Sequence, residues 1–314
     1  MGNITALQQT NFEFPDQQSV YHGKVRDVYK LKDNKVVLVA SDRLSAFDVV
    51  SSQGIPYKGQ VLNQLAEYQL AATADIVPNW VISTPDPNAT VGHAAEAFRV
   101  EVIMRGLLAG SAWRTYESGG REICGNKLSD DMKQNQAFNE PILTPTTKAE
   151  EGHDQDISEA DIIDQGLVSA NDWKQISDYA KAIFKRGQKL ATEHGLILVD
   201  TKYEFGKTAD GKVILIDEIH TPDSSRYFYD EGYEEKLAND EPQKQLSKEF
   251  VREWLIGQDW QGHTPDFPTM PDEFIQQITN RYIELYEKIT GKIFQPADYA
   301  NVEERIFSNV KAAL

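Results

Sequence analysis

Antiparallel hairpins and separate amphipathic helices in one chain predict an α+β fold with antiparallel sheets and packed helices. The clearest hairpin spans residues 196–218, where two β-rich runs flank the turn pair Asp210-Gly211. The clearest helices span residues 171–194 and 271–290, each with its apolar residues on one stripe of period 3.6. The chain has 314 residues, 40 % of them hydrophobic and 10 % aromatic, enough to fill a sizeable core.

After a polar leader, residues 21–30 read as a strand and residues 36–40 as its partner, with Asp33-Asn34 turning between them. Gly23 permits close backbone approach there, and Lys24 and Arg26, on either side of Val25, alternate onto one face as a clamp for phosphate oxygens. A solvent-facing basic pair is the plainer reading. Residues 41–48 are dense in polar groups, including Asp42 and Ser45, which suits a ligand loop and equally suits a turn bonding its own backbone. Residues 59–76 carry Leu62, Leu65 and Leu70 at helical spacing, and Pro78 stops the pattern. The small and polar residues 85–97 are expected to form a mobile connection before a strand at 98–104. That places a boundary between a β-rich lobe, residues 1–100, and a second lobe, residues 101–314.

In residues 104–114 two glycines and Ser111 can present backbone N–H groups at a helix start, flanked by Arg105 and Arg114. Such a turn suits an anion, though a small-residue helix contact has the same pattern. The proline-spaced residues 140–154 contain Lys148, His153 and Asp154 and must be exposed or cover a site. The helix 171–194, with Gly195 as its left-handed cap, delivers the chain into the central hairpin. Along that hairpin Asp200, Lys202 and Glu204 share one face, and Asp217 and Glu218 end the return strand. Converging carboxylates need a cation, a lysine or water. One reading is a wet face with ordinary ion pairs. The other is a divalent metal held by Glu204 and Asp217, with Ser225 and Arg226 of the following polar run beside an anion. Further on, residues 230–245 read as an acidic surface excursion, and residues 247–256 and 271–290 as core-packing helices.

Forty-nine acidic against 32 basic residues leave a net charge of −17, which argues against a nucleic-acid or anionic-membrane surface. The single Cys124 excludes an internal disulfide and a cysteine zinc cage, and no apolar run is long enough to span a bilayer. A protein of the reducing cytosol with no polymer partner is expected.

The blocks GKVRDVY, SDRLSAFD, MRGLLAGSAW, PTTKAEEGHD, DTKYEFG and DEIHTPDSSR, in order across residues 23–256, together resemble the SAICAR synthetase family. The resemblance implies a two-lobed, ATP-grasp-like α+β enzyme that uses ATP and Mg²⁺. It would join L-aspartate to the carboxylate of 5-amino-1-(5-phosphoribosyl)imidazole-4-carboxylate, giving SAICAR, ADP and phosphate. It further implies that Gly23, Lys24, Val25 and Arg26 cover the ATP phosphates, that Lys148 contacts the nucleotide, and that Glu204 and Asp217 bind magnesium. Arg105, Ser111 and Arg226 match positions that hold the ribonucleotide, while Asp42, Ser45, His153, Asp154 and Ser225 lie on loops lining the cleft. One departure is Ser247-Lys248-Glu249, where many relatives have Asp-Lys-Gln. Two alternatives use the same parts: a small-molecule kinase, and a nucleotide-sensing module, which a missing metal carboxylate would have favoured.

Overall fold

The computed structural model describes residues 5–148 and 154–314, and two antiparallel sheets organise them. The first has five strands, in the order Gln17–His22, Arg26–Leu31, Lys35–Ala40, Ala89–His93 and Val81–Asp86. Its middle strand, KVVLVA, is apolar almost throughout because both faces are covered. Val37 and Val39 pack into a cluster with Phe12, Phe14 and Tyr29 and with Ile306 and Val310 of the helix Val302–Ala313. Val36 joins the main core with Leu62 and Leu65 of the helix Lys58–Ala72. The leader and the tail are therefore packing elements of the first sheet.

Two expectations about this sheet need correction. Residues 21–30 are not one strand: Gly23 N donates to the Arg26 carbonyl at 2.8 Å, turning the chain, so Lys24 leaves the ladder. Nor are residues 85–97 a loose connection, since Ala89–His93 pairs along Lys35–Ala40 from Lys35↔His93 to Val39↔Ala89. The small residues there serve packing. A Cβ on Gly92 would lie 2.1 Å from Trp80 Cε3.

The second sheet has Val100–Leu107 and Leu196–Lys207 at its centre. The expected hairpin forms: Glu204 pairs with Ile216 and Lys207 with Val213, and Gly211, at φ 86°, takes the left-handed turn position. Ser225–Tyr229 pairs along the same edge of Leu196–Lys207 as the hairpin's return strand, across from Val100–Leu107, placing Asp200 opposite Arg226 on one neighbour and Arg105 on the other. Cross-strand register therefore sets one acid between two guanidiniums. The acidic excursion contains the short helix Tyr233–Ala238. The sheets meet where Trp80 N donates to the Leu215 carbonyl at 3.0 Å and Leu215 N to that of Pro78 at 2.9 Å. No described helix is long and apolar enough to cross a membrane.

The helix Ala170–Glu193 begins at Ser169, whose side chain accepts from Asp172 N, and lays Trp173, Ile176, Ala180, Ile183 and Phe184 against the second sheet. Gly187 lets His220 approach it, for a Cβ would lie 2.4 Å from the His220 ring. His220 is wholly buried with Nε2 2.6 Å from the Tyr203 hydroxyl, and burial drives its pKa down to about 3. The unfolded chain protonates this histidine near pH 6.5 whereas the folded chain keeps it neutral to about 3. Its share of stability is thus complete above pH 6.5 and is lost as pH falls toward 3. We expect His220→Gln to reduce the loss of urea stability between pH 6.5 and 5 by about 2 kcal/mol, and an unchanged slope would show the histidine titrating normally.

Candidate active site

The face of the second sheet bearing Asp200, Lys202 and Glu204 forms the floor of a cleft. The Gly23–Arg26 turn lies over one end, the loop from Thr221 to Ser224 with the start of the strand Ser225–Tyr229 closes the other, and the helix Glu249–Gly257 flanks it with Lys248 just before its start. Two adjoining cavities, of about 220 and 270 Å³, share Lys202, Asp223, Ser224, Lys248 and Arg252.

The first cavity is lined by Lys24, Val25, Arg26, Ser45, Glu204, Asp217 and Glu218. Arg26 makes a two-point contact with Glu218, 3.0 Å from Nη1 to Oε1 and 2.5 Å from Nη2 to Oε2, and lies 3.4 Å from Asp217. Lys24 is exposed and pairs with Asp48 at 2.5 Å. Glu204 accepts from Lys202 at 2.9 Å and from Lys148, and Lys202 also donates to Glu101 at 2.6 Å. Burial disfavours the Glu204 charge, but Lys202 and Lys148 outweigh it and hold the pKa down to about 2. Asp217 moves the other way, pushed up to about 6 by burial and by the charges of Glu204 and Glu218, against the pull of Arg26.

That contrast bears on a metal. Among the described residues no group of three or more His, Cys, Asp or Glu has metal-binding geometry. Mg²⁺ commonly takes only one or two carboxylates and completes its shell with water and phosphate oxygens. Glu204 and Asp217 facing one cavity, with Asp217 electrostatically crowded, fit such a phosphate-borne ion.

The second cavity gathers Arg105, Ser111, Asp200, Ser225, Arg226 and Glu249. Arg105 donates from Nε to Thr144 Oγ1 at 2.8 Å and from Nη2 to Ser111 Oγ at 3.0 Å. Arg226 is held by Asp200 and, at 3.0 Å, by Glu249. Gly110, at φ 57°, opens the helix Gly110–Glu117, and a Cβ there would lie 2.6 Å from the Arg226 guanidinium. Only glycine leaves room for that fork beside the helix start.

The remaining candidates serve the structure or lie outside the cavities. Asp42 lines neither cavity: it is buried and accepts from Leu7 N and Gly59 N, each at 2.8 Å, and from the Tyr299 hydroxyl at 3.2 Å. Ser225 Oγ donates to Thr201 Oγ1 at 2.7 Å, so its hydroxyl braces the sheet. Asp154 is exposed and lines neither cavity. His153 falls outside the described residues. Sequence reasoning missed Lys58, Lys248 and Arg252. Lys58 is wholly buried with Nζ 2.8 Å from Asp223 Oδ2, while Tyr282 donates to Asp223 Oδ1 at 2.5 Å.

The profile of a known family, SAICAR synthetase, matches residues 19–267, a span that includes both cavities. The chain belongs to the SAICAR synthetase family. It is 59 % identical to the phosphoribosylaminoimidazole-succinocarboxamide synthase of Bacteroides thetaiotaomicron, covering 98 % of each chain. Against the enzyme of that name from Cytophaga hutchinsonii identity is 55 %, over 99 % of this chain and all of that one. The solved SAICAR-synthase from Saccharomyces cerevisiae complexed with SAICAR superposes with a TM-score of 0.79 at 30 % identity, covering 92 % of this chain and 99 % of the other.

Arg26 and Glu218 join the two walls of this cleft, and both are largely buried, at 12 % and 8 % side-chain exposure. Glu218→Gln leaves a buried guanidinium short of its nearest charge, which costs about 3 kcal/mol, the lower end of the usual range because Asp217 stays close. Chemical denaturation that showed a loss below about 1 kcal/mol would mean the pair does not brace the cleft.

Proposed function

We propose that the cleft carries out ATP-dependent joining of L-aspartate to 5-amino-1-(5-phosphoribosyl)imidazole-4-carboxylate, the reaction of the synthases it resembles, giving SAICAR, ADP and phosphate in purine biosynthesis. The observation that carries this reading is the pair of adjoining cavities, one lined by cations and carboxylates and one walled by two arginines, in a chain 59 % identical to such a synthase. Family membership weighs against the alternative of a small-molecule kinase.

A carboxylate is a poor electrophile, so amide formation needs a leaving group, supplied here by phosphoryl transfer to give an acyl phosphate that the aspartate amine displaces. Both steps crowd negative charge, and positioned cations supply most of the catalysis. In our reading Lys24 and Arg26 cover the ATP phosphates, with Val25 between them and Gly23 shaping the turn through its N–H to the Arg26 carbonyl. Lys148 leaves Glu204 for the nucleotide. Arg105, Ser111 and Arg226 hold the ribonucleotide phosphate, the arginines by planar forks suited to bidentate contact. Glu204 and Asp217 would hold Mg²⁺, which when bound neutralises phosphate charge. Residues 1–100 form the lobe over the nucleotide and residues 101–314 the lobe of the metal and ribonucleotide, with the helix Val302–Ala313 returning to brace the first sheet. A reducing cytoplasm suits the free Cys124.

Glu204→Gln and Asp217→Asn each remove charge from the proposed magnesium shell with little change of shape, so both are expected to lose nearly all turnover while keeping a native circular dichroism spectrum. Near-normal rates in both at limiting Mg²⁺ would refute the assignment. The acyl phosphate has an isotopic signature: the substrate carboxylate oxygen that attacks the γ-phosphorus departs with it. With ¹⁸O in that carboxylate, one labelled atom per turnover should appear in inorganic phosphate, and only when aspartate is present. Amide without labelled phosphate excludes the intermediate.

A further inference from the structure

The residues shared by the two cavities mark where their contents meet, and among them Lys248 has the least settled charge. Its side chain is 15 % exposed, and its Nζ makes no hydrogen bond to a described residue; the nearest acid, Asp223, is 3.7 Å away. Asp223 is already committed to Lys58 at 2.8 Å and to Tyr282 at 2.5 Å. Lys58 is buried, so the carboxylate cannot turn to Lys248 without stranding another ammonium. The charged groups facing Lys248 are Asp223 and Glu218 from the segment after the hairpin, Lys58 from the helix Lys58–Ala72, and Arg252 one turn along its own helix. Burial dominates and lowers its pKa to about 8, Asp223 and Glu218 opposing, Lys58 and Arg252 adding. Such an amine exchanges its proton near neutrality instead of serving as a fixed cation.

Resting on the ligase reading above, we infer that Lys248 accepts the proton from the amine that attacks the activated carboxylate. The incoming amino acid arrives as an ammonium and has no lone pair to offer. Neutral Lys248 takes one of its protons, and the freed nitrogen pair forms the C–N bond. The C–O bond to the phosphoryl group breaks with its electrons passing to phosphate, and a second nitrogen proton leaves with that phosphate. Lys248 then returns its proton to water. The Lys58–Asp223–Tyr282 cluster positions this step without touching the reacting atoms.

The test compares two nucleophiles. Hydroxylamine is already neutral at pH 7 and intercepts acyl phosphates, so it needs no base. We expect Lys248→Met to lower kcat/KM for aspartate by about 10²- to 10⁴-fold but hydroxamate formation by no more than roughly tenfold, with Lys248→Arg equally poor toward aspartate. Because Lys248→Met could also disturb folding, a second variant leaves the lysine in place. In the wild type kcat/KM for aspartate should rise through a limb near pH 8, and Arg252→Gln, by removing a like charge, should move that limb upward. Equal losses with both nucleophiles, rescue by arginine, or a limb unmoved in Arg252→Gln would each overturn the proposal. Failure of the ligase reading looks different: wild-type protein would release no aspartate-dependent phosphate from ATP and the ribonucleotide.

Discussion

The ion pair of Arg26 and Glu218 joins residues 192 positions apart, the first residue of one strand and the residue just beyond the end of another, at the line where two sheets meet. Neither group could be buried alone, because an uncompensated charge at such depth is far more costly than a broken surface pair. The pairing therefore sets where the first sheet must sit over the second. Backbone contacts of Trp80 with Leu215, and the Trp80 indole N–H donating to the Asp217 carbonyl at 2.9 Å, fix the same line from the other side. A cleft with basic groups above and acids below follows from this junction.

Within that cleft the charges already answer one another. Lys148 and Lys202 hold Glu204, Asp200 and Glu249 hold Arg226, and Lys58 holds Asp223. Anionic substrates and a divalent cation would thus exchange partners with groups that are already desolvated. Part of the desolvation of these side chains is met on folding, and what remains for binding is the difference between an internal partner and an external one. Arg226 illustrates the balance. Its guanidinium faces two acids, so an anion that presents two oxygens to the planar fork competes best for it.

Where the sequence carried local periodicity the elements could be read. The Asp210-Gly211 hairpin, the helix Ala170–Glu193 with Gly195 at φ 67° beyond its end, and the helix Asp272–Thr290 closed by Gly291 at φ 67° each follow from spacing and turn chemistry. Strand Ala89–His93 was misread because its small residues answer a demand from Trp80 that no local pattern reveals. The hairpin face with Asp200, Lys202 and Glu204 was legible for the opposite reason, since period-two alternation is local. The Asp223 cluster was not. Its members come from a loop and from the helices Lys58–Ala72 and Asp272–Thr290, and a buried lysine looks in sequence like any solvated one.

Asp42 and its neighbours show how a polar block can serve a site without entering it. Ser41 donates from both its N–H and its hydroxyl to the Val25 carbonyl, at 3.0 and 2.8 Å. Arg43 donates to the carbonyls of Lys24 at 3.3 Å and Gly23 at 2.8 Å, and to Asp27 at 2.8 Å. Three successive carbonyls of the Gly23–Arg26 turn are thereby held from behind. Asp42 in turn anchors this block to Leu7 of the leader and to Gly59 of the first long helix, where a Cβ would lie 2.2 Å from the Ala40 carbonyl oxygen. A turn whose carbonyls are all drawn to one side cannot use them against phosphate oxygens, and it presents its opposite side, with the Lys24 and Arg26 side chains, to the cavity. The dense polarity of residues 41–43 thus reflects hydrogen-bond satisfaction around a loop, and that satisfaction orients the Lys24 and Arg26 side chains.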